Sequence, residues 1–304
     1  MKVLVTGGAG FIGSNIVEDL CRKEEVILLD DLSTANRFSS GFVEKLDVRF
    51  IRGSINDFEL LKKILPGVDH VFHEAAIPSV PRSIKDPVRT NHANVGGTLT
   101  LLKACVDSGV KKVIYASSSS VYGDTPTLPK VETMGTNPKS PYAVSKLIGE
   151  HYMRVFSEIY GLKTVSLRYF NVYGPRQDPL SEYAAVMPKF TSAALKGKPL
   201  EIYGDGTQTR DFTFVGDVVD ANKKALDKGQ GVYNIAGGRQ ITIQELAELI
   251  IELTDSKSKI THSQPRKGDV KHSLADVSKA GRELGWKPRY PLREGLGEYL
   301  KTPS

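Results

Sequence analysis

The chain has 304 residues, 40% apolar and 25% charged, and its 41 Lys and Arg exceed its 35 Asp and Glu by six. That is the composition of an ordinary soluble globular protein, and the length favours two unequal units over one core. The positive excess is spread without a basic block or interleaved aromatics, which speaks against nucleic acid, and no apolar run is long enough to span a bilayer.

A short apolar run at residues 3–6 is expected to be the first strand. The start has neither the basic region nor the cleavage site of a signal peptide, so a cytoplasmic location is expected. The segment Thr6-Gly7-Gly8-Ala9-Gly10-Phe11-Ile12-Gly13 leads into helical spacing over 11–22. Glycines between a strand and a helix let backbone approach a pyrophosphate, which then meets the free amides and positive end of the helix. The candidate cofactor-binding residues here are Gly7, Gly10, Phe11, Ile12 and Gly13. A second strand, 26–30, ends on Asp30, where a carboxylate suits ribose hydroxyls and repels a 2′-phosphate, favouring NAD over NADP. Arg37, nearby, would suit the phosphate instead.

Further strands are expected at 48–52, 68–73, 113–117 and 164–169, and helices at 57–65, 95–108 and 142–160. Apolar strands separated by helices predict a parallel sheet covered on both faces. After Asn171 Gly and Pro become frequent, as in a smaller second lobe, with 212–219 and 233–236 expected to return to the main sheet. The two cysteines, Cys21 and Cys105, are expected to be buried small hydrophobes. His70 and His73 should lie on opposite faces of one strand, and no metal site is expected.

Tyr142 and Lys146 are four apart, on one face of the expected helix, where an ammonium beside a phenol would lower the phenol's pKa. Upstream, Ser117-Ser118-Ser119-Ser120 lies at the carboxyl end of a strand, the edge at which open parallel sheets place ligands. A hydroxyl there could bond a sugar oxygen.

Together the glycine loop, the serine run and Tyr142-x-x-x-Lys146 resemble the extended short-chain dehydrogenase/reductases, along nearly the whole chain. Within that group the chain looks most like the UDP-hexose 4-epimerases. The stretches that carry this are Ser79-Val80-Pro81-Arg82-Ser83, Asn94-Val95-x-Gly97-Thr98, Arg168-Tyr169-Phe170-Asn171, Thr209-Arg210-Asp211-Phe212 and Arg266-x-Gly268-Asp269. The resemblance implies an α/β fold: a Rossmann doubly wound parallel sheet at 1–170, with a smaller C-terminal substrate-binding lobe mainly at 171–304. It implies Tyr142 as acid and base, Lys146 as its partner and a ribose ligand, and Ser118 on the reacting sugar oxygen. Asn171, Arg210, Arg266 and Asp269 would hold the UDP-sugar, and Ser273 would face carbon 2. Serine is small there, which leaves room for an acetamido group; Ser79–Ser83 and the stretch 183–188 also look like a UDP-N-acetylglucosamine 4-epimerase branch.

One departure is Ser54, where the family usually has an acid facing adenine; Asp57 is close behind. The implied reaction is epimerisation at carbon 4 through a transient 4-keto sugar, with NAD as cofactor, as a UDP-glucose 4-epimerase catalyses it. Rival readings are a 4,6-dehydratase or decarboxylase, which needs a carboxylate that the serine run lacks, and a non-catalytic NAD-sensing protein. A homodimer paired through helices 95–108 and 142–160, both richer in apolar residues than one core-facing stripe needs, completes the expectation.

Overall fold

The computed structural model describes residues 1–35, 37–179, 185–264 and 271–301. The chain alternates β1 (Lys2–Thr6), α1 (Phe11–Leu20), β2 (Glu25–Asp30), α2 (Arg37–Val43), β3 (Arg49–Arg52), α3 (Phe58–Ile64) and β4 (His70–His73). Helices α4 (Val80–Lys85) and α5 (Pro87–Asn91) then pass through a π-helical turn, His92–Gly96, into α6 (Gly97–Asp107). Next come β5 (Lys112–Ser118), α7 (Pro141–Tyr160), β6 (Lys163–Tyr169), β7 (Val172–Tyr173), α8 (Val186–Leu195), β8 (Leu200–Tyr203) and β9 (Thr209–Asp211). The chain ends through β10 (Thr213–Phe214), α9 (Val215–Asp227), β11 (Gly231–Ile235), β12 (Gln240–Thr242), α10 (Ile243–Leu253), β13 (Ile260–Ser263), α11 (Ser278–Leu284) and α12 (Leu292–Leu300).

Seven strands form one sheet in the order β11-β6-β5-β4-β1-β2-β3, every pair parallel. Strand order reverses between β1 and β4, which leaves a crevice at their carboxyl ends; this is the doubly wound Rossmann arrangement. Successive side chains of β1 go to opposite layers. Val3 and Val5 pack with Ile16 and Val17 of α1 and Ala221 of α9, while Leu4 packs with Leu61, Leu101 and Phe156 of α3, α6 and α7. Both faces are therefore covered, which is why the strands are apolar runs without alternation.

The stretch 212–219 does not rejoin this sheet. Thr213–Phe214 pairs with β7 outside it, and from Val215 the chain is helical. Val215, Val218, Val219 and Asn222 are buried, the three-and-four spacing of a helix face, not the alternation of a strand. The later return does occur: β11 pairs with β6 as the seventh strand.

A separate core lies beyond β6, built from Met187, Phe190, Leu200, Ile202, Leu246 and Ile250 among others. Arg176 ties the start of this region to α1: its guanidinium donates to Ser14 Oγ (3.1 Å), Asn15 Oδ1 (2.6 Å) and Glu18 Oε2 (2.8 Å). Cys105 is buried as expected, but Cys21 is only half-buried, near the chain surface at the end of α1. Among the described residues no helix is long and apolar enough to cross a membrane, and no group of three His, Cys, Asp or Glu could hold a metal ion.

Candidate active site

The glycine loop is folded by its own backbone: Gly7 N donates to Leu29 O (2.8 Å) and Gly10 N to Gly7 O (3.0 Å). A Cβ on Gly13 would stand 2.2 Å from the Gly7 carbonyl oxygen, so only glycine allows α1 to start this close. Gly10 is the N-cap and supplies no side chain to cap the helix. The first amides of α1, unpaired within the helix, therefore remain available to an anion. Gly7, Gly10, Phe11, Ile12 and Gly13 line a cleft of about 430 Å³ that also takes in Asp30, Ser54, Glu74, Tyr142, Lys146 and Tyr169.

Asp30 is partly committed to the loop. Its Oδ2 accepts from Ala9 N (3.0 Å) and its Oδ1 from Leu32 N (2.8 Å). Each carboxylate oxygen keeps a second lone pair, so the ribose hydroxyls still have acceptors. Burial raises its pKa, with the Leu32 and Ala9 amides opposing. An unbranched cradle, free helix amides and a carboxylate at the far end are a donor set that fits a dinucleotide. Ser54 lines the same cleft and accepts from Asn56 N (3.2 Å). Asp57 offers it no compensation, because that carboxylate is the N-cap of α3, accepting from Leu60 N (2.9 Å).

The other end of the cleft is built from side chains. Ser140 caps α7, accepting from Ala143 N, and Pro141 opens the helix. This sets Tyr142 and Lys146 over the carboxyl end of β5. Gly149 permits the close approach: a Cβ there would lie 2.2 Å from the Tyr115 hydroxyl. Lys146 Nζ donates to Ala116 O (2.7 Å) and lies 6.0 Å from the Tyr142 ring centroid. Burial lowers the Lys146 pKa, and the Glu74 charge opposes that. Tyr142 carries a raised pKa, first from burial, with Glu74 adding to it and a hydrogen bond with Ser118 opposing. The lowering expected from Lys146 is thus not what the protein alone supplies: the ammonium is engaged with Ala116, and burial dominates.

The serine run is sorted by the end of β5. Ser118 faces Tyr142, and its Oγ accepts from Ser120 N (3.2 Å) and pairs with Ser120 Oγ (2.9 Å). Ser117 turns the other way and donates to Glu150 Oε1 (2.5 Å). Glu150 also receives Arg168 Nε (2.8 Å) and NH2 (2.7 Å), a buried bidentate pair.

Glu74 is a site residue that motif reasoning missed. It follows β4 directly and accepts from the Tyr169 hydroxyl (2.9 Å), which in turn accepts from Asn222 Nδ2 (2.8 Å). The available signal was an acid immediately after an apolar strand, at the ligand-binding edge of the sheet. His73, beside it, bonds Thr6 Oγ1 (2.9 Å) and Thr98 Oγ1 (2.8 Å), and burial pushes its pKa down to about 3.

A second cleft of about 430 Å³ opens beside the first, and Ala185 lines both. Asn171 and Arg210 line it, with Val186, Phe190, Ile202 and Phe212. Asn171 Nδ2 donates to Asp211 O (2.8 Å), and Arg210 NH1 to Thr209 O (2.9 Å). Ser273 lies next to this strand, its N–H donating to Thr209 O (3.2 Å), and lines neither cleft. The segment is held by buried Asp211, which accepts from Ala275 N (3.1 Å) and whose carboxyl burial pushes up to about 7. Arg266 and Asp269 lie outside the described residues, as do the Arg37 side chain and Tyr183 and Ala184.

Comparison with known proteins agrees with this geometry. A family model described as the NAD dependent epimerase/dehydratase family matches residues 3–236. A UDP-glucose 4-epimerase of Mycolicibacterium smegmatis is 40% identical over 309 residues, covering 99% of this chain and 98% of that protein. The crystal structure of a Thermotoga maritima UDP-glucose 4-epimerase with UDP-glucose superposes with a TM-score of 0.94 at 41% identity, covering 99% of this chain and 98% of that one. A UDP-N-acetylglucosamine 4-epimerase from Methanobrevibacter ruminantium, in complex with UDP-N-acetylmuramic acid, gives 0.95 at 43% identity, covering 99% and 97%.

Proposed function

This chain belongs to the NAD-dependent epimerase/dehydratase family, and from that premise we propose that it is a UDP-glucose 4-epimerase, interconverting UDP-galactose and UDP-glucose and also their N-acetylated counterparts. The observation that carries this is Tyr142, hydrogen-bonded to Ser118 and lining with the buried Lys146 one cleft that also takes in the glycine loop and Asp30. When bound, NAD supplies reversible hydride acceptance at carbon 4. Ser118 holds the 4-oxygen, and Tyr142 removes its proton and later returns it, general acid–base work worth about 10²–10⁴ in rate. Lys146 fixes the ribose, while Asn171 and Arg210, with Arg266 and Asp269, hold the uridine diphosphate. In this reading residues 1–170 bind NAD and 171–304 mainly bind the sugar nucleotide, with the stretch near 212–236 returning to the nucleotide domain.

The test is incubation with UDP-galactose. UDP-glucose as product supports the proposal; a 4-keto-6-deoxy sugar would identify a dehydratase, a UDP-pentose formed from UDP-glucuronate in a parallel incubation a decarboxylase, and NAD binding without product from either substrate a binding protein. Sugar breadth is tested by kcat/KM for UDP-galactose and UDP-N-acetylgalactosamine. Ser273→Tyr is expected to lose at least about tenfold on the acetylated substrate alone, in line with 1–3 kcal/mol for one pocket group; values unchanged from the parent for both substrates would remove Ser273 from the sugar.

We extend the proposal to a homodimer. Ile84 (64% exposed), Val88 (78%), Leu99 and Val144 are apolar and exposed on α4, α5, α6 and α7. Pairing that face with a second copy removes it from water. A dimeric mass by light scattering at micromolar protein is expected, and Val88→Asp combined with Leu99→Asp should halve it.

A further inference from the structure

We propose that Glu74 is a positioning residue for the Tyr142–Lys146 pair: a buried carboxyl lining the same cleft, whose own ionisation is tied to theirs. The inference rests on the catalytic reading of Tyr142. Glu74 stands at the point where strand order reverses, and its side chain lines the same cleft as Tyr142, Lys146 and Tyr169. Its orientation is set from behind. Asn222 Nδ2 donates to the Tyr169 oxygen, which leaves the Tyr169 proton for Glu74 Oε1 (2.9 Å). Held by one neutral donor in a buried position, a carboxylate needs a cation to stay ionised. Burial pushes the Glu74 carboxyl up to about 7, with the Tyr169 hydrogen bond and then the Lys146 charge opposing.

The groups that face Glu74 come from three strands and a helix. Tyr115 stands on β5, Tyr169 on β6, and Tyr142 and Lys146 on α7, while His73 on β4 itself is locked neutral between two threonines. Burial lowers the Lys146 pKa to about 8, and an ionised Glu74 opposes that, favouring the ammonium. The same charge opposes the phenolate of Tyr142. Glu74, Lys146 and Tyr142 therefore titrate as one unit. Glu74 raises the pH at which Tyr142 becomes a base while securing the cation beside it.

The test uses the NAD-loaded protein and Glu74→Gln, which keeps the shape and an acceptor for Tyr169 but removes the charge. The acid limb of kcat/KM against pH for UDP-galactose is expected to move down by about one pH unit, the low end of what a near charge does. Tyrosinate absorbance, taken as each protein minus its Tyr142→Phe form, should move with it, and this readout does not depend on turnover. Glu74→Asp, which keeps the charge, should keep the original limb. Superimposable titrations of Glu74→Gln and the parent would overturn the inference, and so would an equal shift in Glu74→Asp, which would assign the effect to packing. Should Tyr142→Phe retain full turnover, the proposed function falls, whereas the absorbance titration still decides Glu74.

Discussion

Lys146 and Glu150 sit one turn apart on the same face of α7, both buried, and the helix treats them in opposite ways. Glu150 is fully engaged by the Arg168 fork and the Ser117 hydroxyl. The Arg168 guanidinium in turn lies 4.6 Å over the Tyr122 ring. Lys146 has one backbone carbonyl and a carboxylate that it feels at a distance. A charge closed off by several short contacts fixes geometry. A charge left with few partners changes state when its surroundings change, so it can take part in chemistry.

That contrast breaks most visibly at Glu150. Glu150→Ala leaves Arg168 buried and unpaired, and is expected to cost 3–5 kcal/mol of stability, about what removing one partner of a buried ion pair costs. Urea unfolding reads this directly; a loss below about 1 kcal/mol, the worth of an exposed pair, would mean the network is not structural. Tyr142→Phe should do the reverse. Unfolding and NAD retention stay as in the parent, while turnover drops by about 10² or more, as for loss of a general acid–base. Near-parental turnover would remove Tyr142 from the chemistry.

His73 sharpens the same point through its dependence on pH. Like Glu150 it is saturated, by Thr6 and Thr98, and burial holds its pKa near 3, below the ordinary 6.5. The unfolded chain therefore binds a proton below about 6.5 that the native state refuses. The stability gained from neutral burial is complete above that pH and is lost toward 3, by up to about 1.4 kcal/mol per pH unit. Unfolding midpoints followed downward from neutral pH should show the slope in the parent and a shallower one in His73→Gln. Identical slopes would show that His73 is protonated in the native protein.

What could be read from the sequence was what backbone geometry demands of residue type. Gly13 has no alternative where α1 meets Gly7, and a Tyr four before a Lys must share a helix face, so both stood out without coordinates. Val215, Val218 and Val219 misled because a short β-branched run suits a strand as well as one helix face, and only neighbours decide. Glu74 could not be assigned a role, since its meaning depends on a hydroxyl 95 residues away. The motif residue Asn94 was visible as a signature, yet what it does is local carpentry: it bonds both backbone polar groups of Ile77 and the Ser145 hydroxyl, setting α7 against the cleft wall.

The position of β11 has a consequence for the order in which the protein can be made. Its partner β6 ends at Tyr169, and β11 does not begin until Gly231, after α8, β7–β10 and α9 have been synthesised. A nascent chain with six strands in place presents β6 as a bare edge carrying Val165 and Leu167, both wholly buried at the finish. Open apolar edges of that kind recruit other chains. The ribosome must therefore deliver about sixty more residues before the sheet is safe, and a polypeptide released between β6 and β11 is the species most prone to aggregate.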